Sequence, residues 1–181
     1  MKKRSISWNE YQGLVGKLCR DLSVDKWRPD YIVGISRGGA LPAVMISHYL
    51  NVPCYMLSVS LRDHEFSESN LWMAEDAYGY VGTYDDHPVV DVDYKKKNIL
   101  VVDDMNDSGA TFNWIINDWT TGCLPQSPEW NNIWGGNVRF AVLFDNLGSK
   151  CNVKMNYVGE EVDKSHTDIW IDFPYEDWWT K

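Results

Sequence analysis

Residues 99–112, ILVVDDMNDSGATF, narrow the choice of fold before anything else in the chain is read. Ile99, Leu100, Val101 and Val102 form an unbroken run of branched apolar side chains. A run without alternation suits a strand in the middle of a parallel sheet, where both faces are covered. The run ends in Asp103 and Asp104, and from Ser108 onward Phe112, Ile115, Ile116 and Trp119 recur at helical spacing. Asp107, Ser108, Gly109, Ala110 and Thr111 therefore make a turn from strand to helix. A helix start leaves backbone N–H groups without intrahelical partners, and its dipole favours an anion there. Ser108 and Thr111 add hydroxyl donors, and Gly109 lets backbone come close to a ligand.

A second unit repeats the plan. Tyr31, Ile32, Val33, Gly34 and Ile35 read as a buried strand, Ser36, Arg37, Gly38 and Gly39 as a loop, and Ala40 to Leu50 as an apolar helix with Pro42 in its first turn. Arg37 offers a planar fork suited to phosphate oxygens. Two carboxylates beside an anion site must serve another part of the ligand. Asp103 and Asp104 either accept hydrogen bonds from vicinal sugar hydroxyls or help hold a hard cation such as Mg²⁺ that bridges to phosphate oxygens.

An apolar strand, paired acids and a D-[ST]-G-x-T loop, written here Asp107 to Thr111, resemble the signature with which type I phosphoribosyltransferases bind phosphoribosyl pyrophosphate. The loop Ser36 to Gly39 resembles the family's pyrophosphate loop, S-R-G-G in the xanthine and guanine branch. The resemblance implies a non-proline cis peptide between Ser36 and Arg37. It also implies 5-phosphate on Asp107, Ser108, Gly109, Ala110 and Thr111, ribose hydroxyls on Asp103 and Asp104, and pyrophosphate on Ser36, Arg37, Gly38 and Gly39. Mg²⁺ would arrive with phosphoribosyl pyrophosphate and meet Asp104, and Asp107 would act as general base toward a ring nitrogen of the acceptor. Residues 168–175, DIWIDFPY, resemble the D-x-W-I-x-x-P-[WY] segment of xanthine-guanine phosphoribosyltransferases. By that resemblance Trp170 stacks on the purine and backbone around Ile171 reads its exocyclic groups.

One position departs from the family. Where purine enzymes commonly place a lysine that donates to the 6-oxo group, after the strand at Val138 to Phe144, this chain has Asn146, whose amide is expected to donate one hydrogen bond to the base without bringing a charge, with Lys150 a turn further on as the alternative donor. The leading expectation is a nucleobase phosphoribosyltransferase acting on a 6-oxopurine. The departure keeps open a catalytically silent regulator that binds phosphoribosyl pyrophosphate or a nucleotide, and an enzyme with a non-purine acceptor.

The rest of the chain fits one domain, residues 1–181, of α/β class with a doubly wound parallel sheet. Ser7 to Glu10 is a capping-box pattern, followed by Tyr11, Leu14, Val15, Leu18 and Leu22 at helical spacing, so the chain is expected to open with a helix. Residues 54–60 and 138–144 read as further strands. Between 62 and 97 no core face is evident; Arg62, Asp63 and His64 resemble the start of the flexible hood that closes over the site in the family, with a plain surface hairpin as the alternative. Lys95, Lys96 and Lys97 read as a solvated strand entrance. Residues 122–137 read as an insertion that either meets a partner subunit or caps an edge. The resembling family commonly forms dimers, so a homo-oligomer is admitted.

A net charge of −9 without a basic stripe argues against a nucleic-acid partner, and no apolar run reaches membrane-spanning length. Cys19, Cys54, Cys123 and Cys151 are scattered without metal-ligand spacing, as expected of reduced thiols in a cytoplasmic setting, and the four histidines show neither triad nor metal spacing. Of ten tryptophans, only Trp170 is assigned to a ligand; the others, Trp178 and Trp179 included, are expected to pack.

Overall fold

A computed structural model describes residues 2–61, 66–79, 83–84, 87–88, 95–123, 126–165 and 169–180. The chain runs β1 (Lys2–Ser5), α1 (Trp8–Val24), β2 (Tyr31–Ser36), α2 (Ala40–Leu50), β3 (Cys54–Ser60), β4 (Phe66–Ser67) and α3 (Leu71–Tyr78). It continues through β5 (Thr83–Tyr84), β6 (His87–Pro88), β7 (Ile99–Asn106), α4 (Ala110–Gly122), α5 (Trp130–Ile133), β8 (Val138–Asn146), β9 (Tyr157–Val162) and β10 (Ile169–Asp172). The central sheet has the order β4-β3-β2-β7-β8-β9; all its pairs are parallel except β3 with the two-residue β4.

The unbroken apolar runs are explained by what covers the sheet. Along β2 and β7, Val33, Ile35, Ile99 and Val101 face a core shared with α3, α4 and α5, while Ile32, Leu100 and Val102 face the core of α1 and α2. Successive side chains of a strand point to opposite faces, so a strand covered on both sides needs apolar residues at every position. Register then places the loops. β2 and β7 are paired from Tyr31 opposite Ile99 to Gly34 opposite Val102, and β7 runs on to Asn106 beside β8 alone. Asp103 and Asp104 therefore lie just past the last β2 pair, level with the Ser36–Gly39 loop.

Three parts of the sequence reading change. The chain opens with a strand: β1 pairs in parallel with β10, Lys3 opposite Trp170 and Arg4 opposite Ile171, in a separate two-stranded sheet. Two apolar neighbours keep it there, since Ile6 and Ile171 are buried in the α1 and α2 core. The stretch 62–97 contains a core element, because α3 buries Met73, Ala74 and Ala77. Its polar Asp76 is also buried and pairs at 3.0 Å with Lys97, whose side chain stays 44% exposed and so is a structural partner as well as a solvated charge. The residues expected to begin the hood, Arg62 to His64, lie outside the described residues, as do Tyr80, Gly82, Asp85 and Asp86. Finally, Gly122 ends α4, and residues 126–137 close over the chain's own core. Trp130 and Ile133 are buried there, and Trp134 stacks between Trp130 and Phe140 at centroid distances of 5.5 and 6.0 Å.

Candidate active site

A cleft of ≈ 900 Å³ opens at the carboxyl ends of β2 and β7. One wall is Ser36, Arg37 and Gly38 together with Asp103 through Phe112; the facing wall carries Lys3, Lys164, Trp170 to Phe173, Tyr175 and Trp179. Ligands of open parallel sheets collect at this end of the strands because the loops and helix starts converge there.

Both loops feed helices through a glycine, Gly39 before α2 and Gly109 before α4, neither of which has a side chain to cap with. At α4 the Ser108 hydroxyl accepts the first N–H, that of Ala110, at 3.3 Å, while among the described residues no side chain accepts those of Thr111 and Phe112. Gly109 has φ 85, and a Cβ on it would overlap the backbone of Cys151. Gly38 packs so closely on Asp104 that a Cβ would overlap its carboxylate. The Ser36–Arg37 peptide is cis, as the resemblance implied. Gly39 lies behind the cleft wall, its N–H donating to the Ile35 carbonyl at 2.8 Å, so its contribution is to let the loop pack on β7.

Asp103 is buried and Asp104 half-buried, and the two are held differently. Asp103 is 8% exposed and its Oδ1 accepts the Asp104 N–H at 2.9 Å. Burial pushes its carboxyl well above the usual range, and the neighbouring Asp104 charge adds to the shift. Burial also raises Asp104, but the Tyr175 hydroxyl, which donates to Asp104 Oδ2 at 2.6 Å, works in the opposite direction. Tyr175 itself is held by stacking on Phe173 at 5.5 Å and by an edge contact with Tyr11 at 5.8 Å. A residue from the carboxyl-terminal segment therefore sits directly on the carboxylate beside the Ser36–Gly39 loop.

Asp107 is met by Lys164, whose Nζ lies 2.9 Å from Asp107 Oδ1. Asn146 does not face the cleft, which corrects the expectation that its amide meets the base. Its Nδ2 donates to the Asp107 carbonyl at 2.9 Å, and its Oδ1 accepts the N–H groups of Gly148 and Lys164, each at 3.1 Å. Lys150 also stays outside the cleft wall; its N–H donates to the Ser108 carbonyl at 3.0 Å.

Trp170 is 40% exposed on β10, as a ring available for stacking should be, and Ile171 beside it is buried but contributes to the wall. Asp168, at the start of that motif, lies outside the described residues. Asp172 is buried and accepts the Ser5 hydroxyl at 3.0 Å and the Lys3 ammonium at 3.3 Å, which ties β1 to the acceptor wall. Trp179 lines the cleft and is 68% exposed, so the packing expected of it does not occur. Lys3, Lys164 and Trp179 were not legible as site residues. None belongs to a motif, and each reaches the cleft through a contact between distant parts of the chain. Tyr175 lay inside the carboxyl-terminal motif, and only its bond to Asp104 was unforeseen.

Residues 7–178 match the model of the phosphoribosyl transferase domain. The chain belongs to this family. Among its relatives, the hypoxanthine-guanine phosphoribosyltransferase of Schizosaccharomyces pombe is 24% identical over 178 aligned positions, which cover 90% of this chain and 85% of that protein. The purine phosphoribosyltransferase of Pyrococcus horikoshii superposes with a TM-score of 0.62 at 22% identity, covering 98% of this chain and 95% of that one. The xanthine-guanine-hypoxanthine phosphoribosyltransferase of Helicobacter pylori does so at 0.60 and 17% identity, covering 98% and 96%. At these identities the superpositions establish a shared phosphoribosyltransferase fold. Among the described residues, no helix is long and apolar enough to cross a membrane.

Proposed function

We propose that this phosphoribosyltransferase moves the 5-phosphoribosyl group of phosphoribosyl pyrophosphate onto a ring nitrogen of a 6-oxopurine and releases pyrophosphate. The observation that carries the reading is the convergence, in one cleft, of two loops feeding helices through glycines, a buried and a half-buried aspartate side by side, Asp107 and an exposed Trp170. The 5-phosphate is assigned to Asp107–Thr111 at the start of α4, where N–H groups and the Ser108 and Thr111 hydroxyls can donate. The pyrophosphate is assigned to Ser36, Arg37 and Gly38, and the ribose hydroxyls to Asp103 and Asp104 between them.

Departure of pyrophosphate leaves positive charge at the anomeric carbon. The carboxylates fixed beside the ribose favour that charge without having to reorganise. Asp107 takes the proton of the attacking nitrogen, for which a carboxylate within hydrogen-bond reach is the requirement. Trp170 offers its face to the flat base, orienting it for attack.

Among the described residues, no group of three or more His, Cys, Asp or Glu converges on one point. The donor set fits Mg²⁺ held mainly by substrate oxygens with Asp104 as a protein carboxylate, the usual habit of this ion. Such an ion would supply positive charge to offset that of the leaving pyrophosphate. A cytoplasmic location, where four free thiols persist, suits this reading.

The test is purified protein with Mg²⁺ and phosphoribosyl pyrophosphate against guanine, hypoxanthine, xanthine, adenine, uracil and orotate, following pyrophosphate. Release with a 6-oxopurine is expected. Release only with a pyrimidine would move the acceptor class, and release with no base would leave a binding protein.

A further inference from the structure

Tyr175 reaches Asp104 from a part of the chain that neither loop requires. Its hydroxyl donates to Asp104 Oδ2 at 2.6 Å and lies 3.5 Å from the Gly38 carbonyl, while Gly38 packs on the same carboxylate so closely that a Cβ would overlap it. Asp104 is thus clamped between the Ser36–Gly39 loop and the segment that follows β10. The last bond of an aspartate side chain turns easily, because its torsional preference is broad. The tyrosine hydroxyl removes that freedom.

The ring that carries the hydroxyl is itself fixed. It lies within 4° of parallel to Phe173 at a centroid distance of 5.5 Å, and Phe173 is buried against Tyr11 and Phe144 at 6.3 and 5.9 Å. The turn that contains Tyr175 is closed twice: the Phe173 N–H donates to the Glu176 carboxylate and the Glu176 N–H donates to the Phe173 carbonyl, each at 3.0 Å. Tyr11 supplies an internal comparison. It is fully buried in the same aromatic cluster and meets the Tyr175 ring edge-on at 5.8 Å, but its hydroxyl has no hydrogen-bond partner among the described residues. Two tyrosines therefore build one cluster, and of the two only Tyr175 is bonded to the carboxylate. A ring locked by packing, ending in a hydrogen bond to a cleft carboxylate, is how a supporting side chain keeps a binding group in its productive orientation.

We propose that Tyr175 is a positioning residue that holds Asp104 in the orientation in which it accepts the ribose hydroxyls. The inference rests on the ribose assignment made above and deepens it, because the segment that carries Trp170 then also sets the sugar site. If the hydroxyl instead competed with the sugar for Asp104, its removal would tighten binding.

The test is calorimetric binding of inosine monophosphate and of 2′,3′-dideoxyinosine monophosphate, which lacks both ribose hydroxyls, to the full chain as wild type, Tyr175→Phe and Tyr11→Phe. No divalent cation is added, so Asp104 is read through the sugar alone. Tyr175→Phe keeps both ring contacts and loses only the hydroxyl. It is expected to bind inosine monophosphate about tenfold more weakly, the lower end for a hydrogen bond to a charged group, and the dideoxy nucleotide as wild type does. Tyr11→Phe should leave both affinities unchanged. Unchanged or tighter binding of inosine monophosphate by Tyr175→Phe, an equal loss for both nucleotides, or the same selective loss in Tyr11→Phe would overturn the proposal. A wild type that binds the two nucleotides equally, or neither, would overturn it together with the ribose assignment. Binding needs no turnover, so failure of the transfer reaction and failure of this inference are distinguishable.

Discussion

The starts of α1 and α4 solve the same problem in opposite ways. At α1 the Ser7 hydroxyl accepts the Glu10 N–H at 3.2 Å and the Glu10 carboxylate accepts the Ser7 N–H at 2.9 Å, a closed capping box. At α4, and likewise at α2, a glycine precedes the helix; at α4 the Ser108 hydroxyl accepts the Ala110 N–H at 3.3 Å, while among the described residues no side chain accepts those of Thr111 and Phe112. A start that serves stability satisfies its own N–H groups, whereas one kept for a ligand leaves them to be satisfied on binding. The acid pair extends the contrast. Carboxyls raised above their usual range disfavour folding at neutral pH, so stability has been given up where the sugar phosphate is to be held.

Substitutions on the binding side should therefore damage function, and those on the structural side should damage stability alone. The largest effect is expected at Asp107. Asp107→Asn should lower kcat by about a hundredfold or more, the ordinary size of a general-base contribution, while phosphoribosyl pyrophosphate still binds. Steady-state kinetics beside a binding titration reads both, and unchanged turnover would remove Asp107 from that role. Trp170→Ala should raise KM for the base by roughly tenfold or more, as loss of base stacking does, with little change for phosphoribosyl pyrophosphate. An equal rise for both substrates would mean that the residue packs the fold instead.

Smaller effects sharpen the stability side. Asp103→Asn keeps an oxygen for the Asp104 N–H and removes a buried charge, so it should stabilise the protein at neutral pH by about 1 kcal/mol. The sign follows from the raised carboxyl. Its contribution to stability is present at low pH and lost as pH rises through the folded-state range, so the advantage of Asp103→Asn should vanish on acidification. Thermal melts from acid to neutral pH check this, and a variant less stable than wild type at neutral pH would contradict it. Ser7→Ala should cost about 1 kcal/mol through loss of the α1 cap and leave binding untouched.

How far the sequence could be read depended on how local each feature is. β7 and its acid-rich turn were legible because strand, acids and helix start are contiguous, and the Ser36–Gly39 loop was legible for the same reason. β1 was not: it has four residues, and its partner β10 begins at Ile169. α3 was obscured because Met73, Ala74 and Ala77 give a short apolar face inside a polar stretch. The lysine missing from its expected place after β8 was sought at Lys150, the nearest in sequence. The Lys164–Asp107 contact spans 57 residues and depends on a parallel crossover that places β9 beside β8, which no local pattern announces.

The central claim is that the glycine-led start of α4 is the phosphate site and the closed capping box of α1 is only structural. Calorimetric binding of Mg²⁺ phosphoribosyl pyrophosphate to wild type, Ser7→Ala and Gly109→Val tests it most directly. In Gly109→Val a branched side chain must adopt a positive φ and enter the space of the Cys151 backbone, which distorts the turn. The account predicts equal affinity for wild type and Ser7→Ala, with affinity in Gly109→Val weakened by about a hundredfold, the loss of two or more charge-assisted hydrogen bonds. Absence of binding to wild type, or binding by Gly109→Val as tight as wild type, would contradict it.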